Sequence, residues 1–163
     1  SFEPIPAAQR TISTLADVAA YYYQTDLRSA ALGNCRSNPE VCTNNAPASD
    51  LGDEARHQRM VSYTLGLGAS GLLHYQENYE QATKGDFYDI KTGNRNWPDP
   101  IYFNGPERID DLWHAAVNGG GTYFNARNSQ ELARSLTLTM RAIRASVGSA
   151  AAAATSPASE PRT

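Results

Sequence analysis

Much that usually identifies a protein is scarce in this sequence. Two cysteines, two methionines and three histidines stand among 163 residues. A metal cluster built on cysteine is excluded, because Cys35 and Cys42 have six residues between them and no Cys-x-x-Cys pair occurs. No apolar run approaches the roughly 18 residues that cross a bilayer. Neither sign of charge dominates: 14 Lys+Arg against 17 Asp+Glu leave −3. That balance gives no electrostatic reason to expect a nucleic-acid or acidic-membrane partner. Large aliphatic and Phe residues are also few: twelve Leu, six Ile, five Val and four Phe, against 24 Ala. A thin core with long irregular stretches is expected. The chain opens on Ser1-Phe2-Glu3-Pro4 without an initiator Met or a signal-peptide pattern, as a piece of a longer protein would.

What is present reads as helix, strand, helix, strand, helix. Thr11 to Arg28 has helical spacing in Leu15, Val18, Ala19, Tyr22 and Tyr23, with Thr14 and Asp17 placed as a capping box. Of Tyr21, Tyr22 and Tyr23, one or two should pack and one should face outward. Residues 29–58 form a polar, aperiodic insertion carrying both cysteines, with a short helix expected over Leu51–Arg59. Met60 to Gly68 alternates Val61, Tyr63, Leu65 and Leu67 with small residues, the period of a strand. With so few large residues to share the loss, Leu65→Ala is expected to cost roughly 2–5 kcal/mol. Residues 72–106 form a second irregular insertion, aromatic and polar together. Glu107 to Asn118 is a helix with Pro106 before it, Asp110 and Asp111 at its positive end, and Gly119-Gly120-Gly121 to stop it. A short strand follows at Thr122–Asn125. A last helix starts at the Asn128/Glu131 cap and carries Leu132, Leu136, Met140, Ile143 and Val147 on one stripe. Right-handed crossovers make the two strands parallel neighbours, so the fold class is α/β. Residues 149–163, rich in Ala, Ser and Pro, read as a linker.

Chemistry is sparse. His57 and His74 stand in no nucleophile motif, and no Gly-x-Ser-x-Gly occurs. Asp110 and His114 are four apart on a helix and could offer two metal ligands, without an evident third. Gly119–Gly121 closes a helix and opens a strand, the reverse of a phosphate loop. Tyr75, Tyr79, Trp97 and Tyr102 are candidate partner contacts, since Tyr and Trp favour interfaces; the alternative is that they pack their loop onto the domain. Arg127, Arg134, Arg141 and Arg144 make either a solvated helix face or a contact for an acidic partner surface. Cys35 and Cys42 are either two thiols or a local disulfide closed by the Asn38-Pro39 turn.

Three segments carry a resemblance: Thr14–Arg28, Met60–Gly71 and Ile109–Phe124, the last containing Asp-Asp-Leu-Trp-His-Ala-Ala-Val-Asn-Gly. Together they resemble the PilY family of type IV pilus biogenesis proteins and tip adhesins, over the last part of its von Willebrand factor A-like domain. The resemblance implies residues 1–148 as the last two strands of a doubly wound sheet with their helices, and 149–163 as a linker to a downstream domain. No Asp-x-Ser-x-Ser occurs, so no metal ligand is carried over; a divalent site is expected only upstream of Ser1. A pilus-tip, cell-surface, outer-membrane or periplasmic location in a Gram-negative bacterium is implied. Such an oxidising location favours a Cys35–Cys42 disulfide.

The resulting expectation is a non-enzymatic interaction domain, with no cofactor of its own. It would serve pilus assembly, retraction and surface attachment, with minor pilins and host or abiotic surfaces as partners. The rival expectations are a hydrolase-like α/β enzyme and a metal-dependent binder using Asp110 and His114.

Overall fold

The computed structural model describes residues 13–46, 55–102 and 105–155. Helix α1 spans Leu15–Gln24. The Thr14 side chain accepts from the Asp17 N–H, and the Asp17 carboxylate accepts from the Thr14 N–H, closing the capping box. The helix is shorter than its periodicity predicts. Its chain turns off at Thr25, whose N–H still bonds Tyr21, and Leu27 then pairs with Gln58. Of the three tyrosines only Tyr23 is buried.

Two short 3₁₀ turns follow, at Ala30–Leu32 and Pro39–Cys42. The helix expected over 51–59 does not form in its described part: residues 55–59 are irregular, and 51–54 lie outside the described residues. Strand β1 is Thr64–Leu67, helix α2 is Asp86–Lys91, and helix α3 is Glu107–Asn118. Strand β2 is Tyr123–Ala126 and helix α4 is Ser129–Thr155. Helix α2 lies inside the supposed irregular region 72–106. Six residues are too few to show a helical period, and only Phe87 and Ile90 face inward. At the other end, α4 takes in the first part of the expected linker. Its Ala-rich run has the highest helix propensity of any composition.

The strands pair in parallel, as expected, with Thr64 opposite Tyr123 and Leu67 opposite Ala126. The faces are not those the alternation suggests. Thr64 donates its hydroxyl to the Leu112 carbonyl at 2.6 Å, on the side of α3. Gly66 lies on that side too, under the Tyr123 phenol, where a Cβ would come within 2.4 Å of the oxygen. The small set thus faces the core, while Leu67 is 62% exposed and Leu65 only half-buried. Leu65→Ala is accordingly expected to cost no more than about 2 kcal/mol, below the range its spacing suggests. A urea titration giving a larger loss would place Leu65 back in the core.

Helix α1 packs on α3 through Ala16, Ala19 and Ala115, whose small side chains allow close approach. Asp111 of α3 accepts from the Leu15 and Ala16 N–H groups at 2.9 and 3.4 Å. It therefore serves the positive end of α1 rather than that of its own helix. Helix α4 packs along β2, with Ser135 buried and Leu132, Leu138 and Thr139 half-buried. Of the predicted stripe Leu132 alone turns inward among the described side chains, while Leu136 is 46%, Met140 59% and Ile143 37% exposed; the Val147 side chain lies outside the described residues.

Candidate interaction surface

The main core is an aromatic cluster centred on Trp113. Its ring lies 4.9 Å from Tyr79, 5.5 Å from Tyr75 and Tyr123, 5.7 Å from Phe87 and 6.0 Å from Trp97. Leu73, Ile90, Ala116 and Val117 complete it. The Tyr79 phenol accepts from the Tyr123 N–H at 3.0 Å, and burial raises its pKa far above the ordinary value. Burial likewise pushes Tyr75 up to about 12.

This arrangement corrects the aromatic contact set. Tyr79 is 2% and Trp97 6% exposed, so neither is available to a partner, and Tyr75 is partly buried against the same cluster. Tyr102 alone stands out, 83% exposed beyond a turn in which Asp99 accepts from the Ile101 N–H. The rings of Tyr75, Tyr79, Phe87 and Trp97 are drawn inward because the strands and α3 supply few large aliphatic side chains to fill that space.

Asp110 and His114 do not converge on a metal position. The Asp110 carboxylate is buried and accepts from the Leu72 and Leu73 N–H groups at 2.8 and 3.2 Å. Gly71 lies so close that a Cβ there would sit 1.8 Å from a carboxylate oxygen. Burial raises the Asp110 pKa, against the lowering effect of those two bonds. The His114 ring stacks on Trp97 at 4.5 Å, and its Nε2 meets the Asn118 amide at 3.1 Å. The two side chains thus face different partners, and the metal reading of this pair is withdrawn. Among the described residues no group of His, Cys, Asp and Glu could hold a metal ion. His57 Nε2 meets the Tyr23 carbonyl at 3.2 Å, and the His74 N–H donates to Asp86.

Burial lowers the His114 pKa to about 4, with Asp17 opposing weakly. A lowered histidine pKa means that the unfolded chain takes up a proton before the native chain does. Stability is therefore lost as pH falls from about 6.5 toward 4, by up to about 3 kcal/mol. Asp110 and Asp111, both raised by burial, act in the opposite direction at carboxylate pH values. His114→Gln is expected to flatten the slope of urea midpoint against pH between 7 and 4.5. An unchanged slope would mean that the native and unfolded chains take up this proton alike, so that burial does not lower the His114 pKa.

Cys35 and Cys42 are joined in a disulfide, their Cα atoms 5.9 Å apart. The Asn38 side chain accepts from the Glu40 N–H at the start of the turn that brings them together. A shallow cavity of about 300 Å³ opens between α4, the end of β2 and the 75–77 loop. Across its rim Arg134 pairs with Glu77 at 2.9 Å, so one of the four predicted basic-row residues is matched within the chain. No helix is long and apolar enough to cross a membrane among the described residues. Exposed apolar side chains stand on α1 (Leu15, Val18, Tyr21, Tyr22), on α4 (Leu136, Met140, Ile143) and at Leu67 of β1, with others scattered over the loops. The periodicity that groups Leu15 with Val18, and Leu136 with Met140 and Ile143, fixes which residues share a face and not where that face points, whereas an outward ring among Tyr21–Tyr23 is as expected.

No protein-family model matches the chain, and no solved structure matches it. Curated relatives do. The chain is 34% identical over 131 residues to the type IV pilus biogenesis factor PilY1 of Pseudomonas aeruginosa strain PAO1, a match covering 78% of this chain and 11% of that protein. It is 32% identical over 133 residues to PilY1 of strain UCBPP-PA14, with the same coverage. The chain thus spans about a tenth of the length of the curated relatives it matches. On that similarity, which runs across most of its residues, the chain belongs to the PilY family.

Proposed function

We propose that the chain is a non-enzymatic interaction segment of a type IV pilus-associated adhesin, acting in pilus assembly, retraction and surface attachment. The observation that carries this reading is the similarity to PilY1 along most of the chain. The structure supports it with an α/β arrangement whose two-stranded sheet is small for a free-standing unit. On this reading β1 and β2 are the last strands of a von Willebrand factor A-like sheet. Further strands of the longer polypeptide add at the free edge of β1 and cover Leu67. A divalent metal would be held by those other segments. Minor pilins and host or abiotic surfaces are the proposed partners, at the pilus tip, cell surface, outer membrane or periplasm.

The test is Leu67→Asp in the full-length protein of a piliated host, with surface pili and attachment both counted. Loss of both at normal protein level is the expected result. Unchanged piliation and attachment would overturn the reading. Turnover of ester or phosphate substrates by the purified chain would favour the enzyme reading instead.

A further inference from the structure

The two edges of the sheet are not alike. The Thr64 and Gly68 N–H groups donate to the Thr122 and Ala126 carbonyls, so the even-numbered residues of each strand face the other strand. The odd-numbered N–H and C=O groups therefore point outward, those of Tyr123 and Asn125 from β2 and those of Leu65 and Leu67 from β1. On the outer side of β2 they are met by side chains of the 75–80 segment. The Glu80 carboxylate accepts from the Thr122 hydroxyl at 3.0 Å, and the Tyr79 phenol accepts from the Tyr123 N–H at 3.0 Å. The Tyr75 phenol stands at the next outward N–H, that of Asn125. Residues 80, 79 and 75 thus meet 122, 123 and 125 in reverse order, as an antiparallel neighbour would, but with side chains in place of backbone. Along β1 nothing comparable occurs. Neither Leu65 nor Leu67 uses its N–H in a hydrogen bond among the described residues, and Leu67 is 62% exposed.

We propose that the 75–80 segment seals β2 as the terminal strand, so that a further strand joins the sheet along β1 alone, and that this strand is an extended stretch of the same longer polypeptide. The inference rests on the functional reading above and deepens it, naming the closed edge, the side chains that close it and the chemistry of what joins the open one. Two strands are few for independent stability, and the match covers only 11% of the relative's length, which leaves ample polypeptide to supply a third. The joining strand meets the outward groups of Leu65 and Leu67 with its own backbone. It carries large apolar side chains at alternate positions, on the face that Leu65 and Leu67 share.

The experiment is amide hydrogen exchange of the full-length protein, resolved to single residues by mass spectrometry, with the oligomeric state fixed by light scattering. In the monomer the Leu65 and Leu67 N–H groups are expected to exchange at least about a hundredfold more slowly than unprotected amides. Tyr79→Phe should speed exchange at Tyr123, and Tyr75→Phe at Asn125, by about tenfold, with Leu65 and Leu67 unmoved in both. The two variants are read independently, so the outcome does not hinge on both of them folding. Unprotected Leu65 and Leu67 amides in the monomer would overturn the joining strand, and unchanged exchange in the phenylalanine variants would overturn the seal. Protection confined to a dimer would assign the edge to a second copy and refute the inference. Free exchange at Leu65 and Leu67 in a protein that still supports piliation sinks this inference alone; the functional reading falls only by the Leu67→Asp counts.

Discussion

Trp113→Ala is expected to remove about 3–5 kcal/mol, enough to unfold most of a domain of ordinary stability. Five aromatic rings lie within 6.0 Å of the Trp113 ring, contributed by the 72–106 segment and by β2. Because those rings come from separate parts of the chain, the cavity left behind cannot close by one local shift. Trp113→Phe should cost much less. It keeps most of the ring and removes an indole N–H that is buried without a protein acceptor among the described residues. Urea titration of both variants beside Tyr102→Ala provides the comparison, and the last should move stability by less than about 0.5 kcal/mol. A Trp113→Ala loss below about 1 kcal/mol would mean that the cluster is not the core.

Asp110→Ala is expected to cost about 2–4 kcal/mol, because it leaves the Leu72 and Leu73 N–H groups without their acceptor. The desolvation that raises its pKa opposes part of that gain, which keeps the figure below a full sum of two charged hydrogen bonds. The decisive measurement is a double-mutant cycle with Gly71. In the native chain Gly71→Ala drives a methyl into the Asp110 carboxylate and should be severely destabilising. In the Asp110→Ala background that obstacle is gone, and the same change should cost far less. Additive effects would mean that the 71–73 loop is not held by Asp110.

How much of this was legible in the sequence depends on how local each signal is. The starts of α1 and α4 were readable because Thr14/Asp17 and Asn128/Glu131 act within one turn of chain. The parallel pairing followed from connection rules that need only element order. Of the two readings left open for the aromatic segment, a contact surface and a packed loop, the structure shows the second for all but Tyr102. Tyr79 and Trp97 have the composition of a recognition surface, yet they fill the core, since side-chain chemistry does not say which neighbour a ring meets. The strand alternation was correct in period and wrong in sense. Tyr123 reaches across to Gly66, a distant pairing that no local pattern encodes. Asp111 was placed at the right kind of position, a helix N-terminus, but at the wrong helix. The Cys35–Cys42 disulfide was left open by the residues, favoured by the family resemblance, and is present.

The placement of the aromatic cluster between the strands has a kinetic consequence. β1 and β2 are adjacent in space, but the whole 68–122 segment separates them in sequence. Bringing their ends together closes a long loop before any ladder hydrogen bond can offset the entropy lost. Collapse of Tyr75, Tyr79, Phe87 and Trp97 onto Trp113 would shorten that loop from within, so the rings are expected to be in place early in folding. Disturbing them should therefore slow the approach to the native state rather than hasten departure from it. The disulfide at 35–42 lies outside this loop and leaves its closure rate untouched.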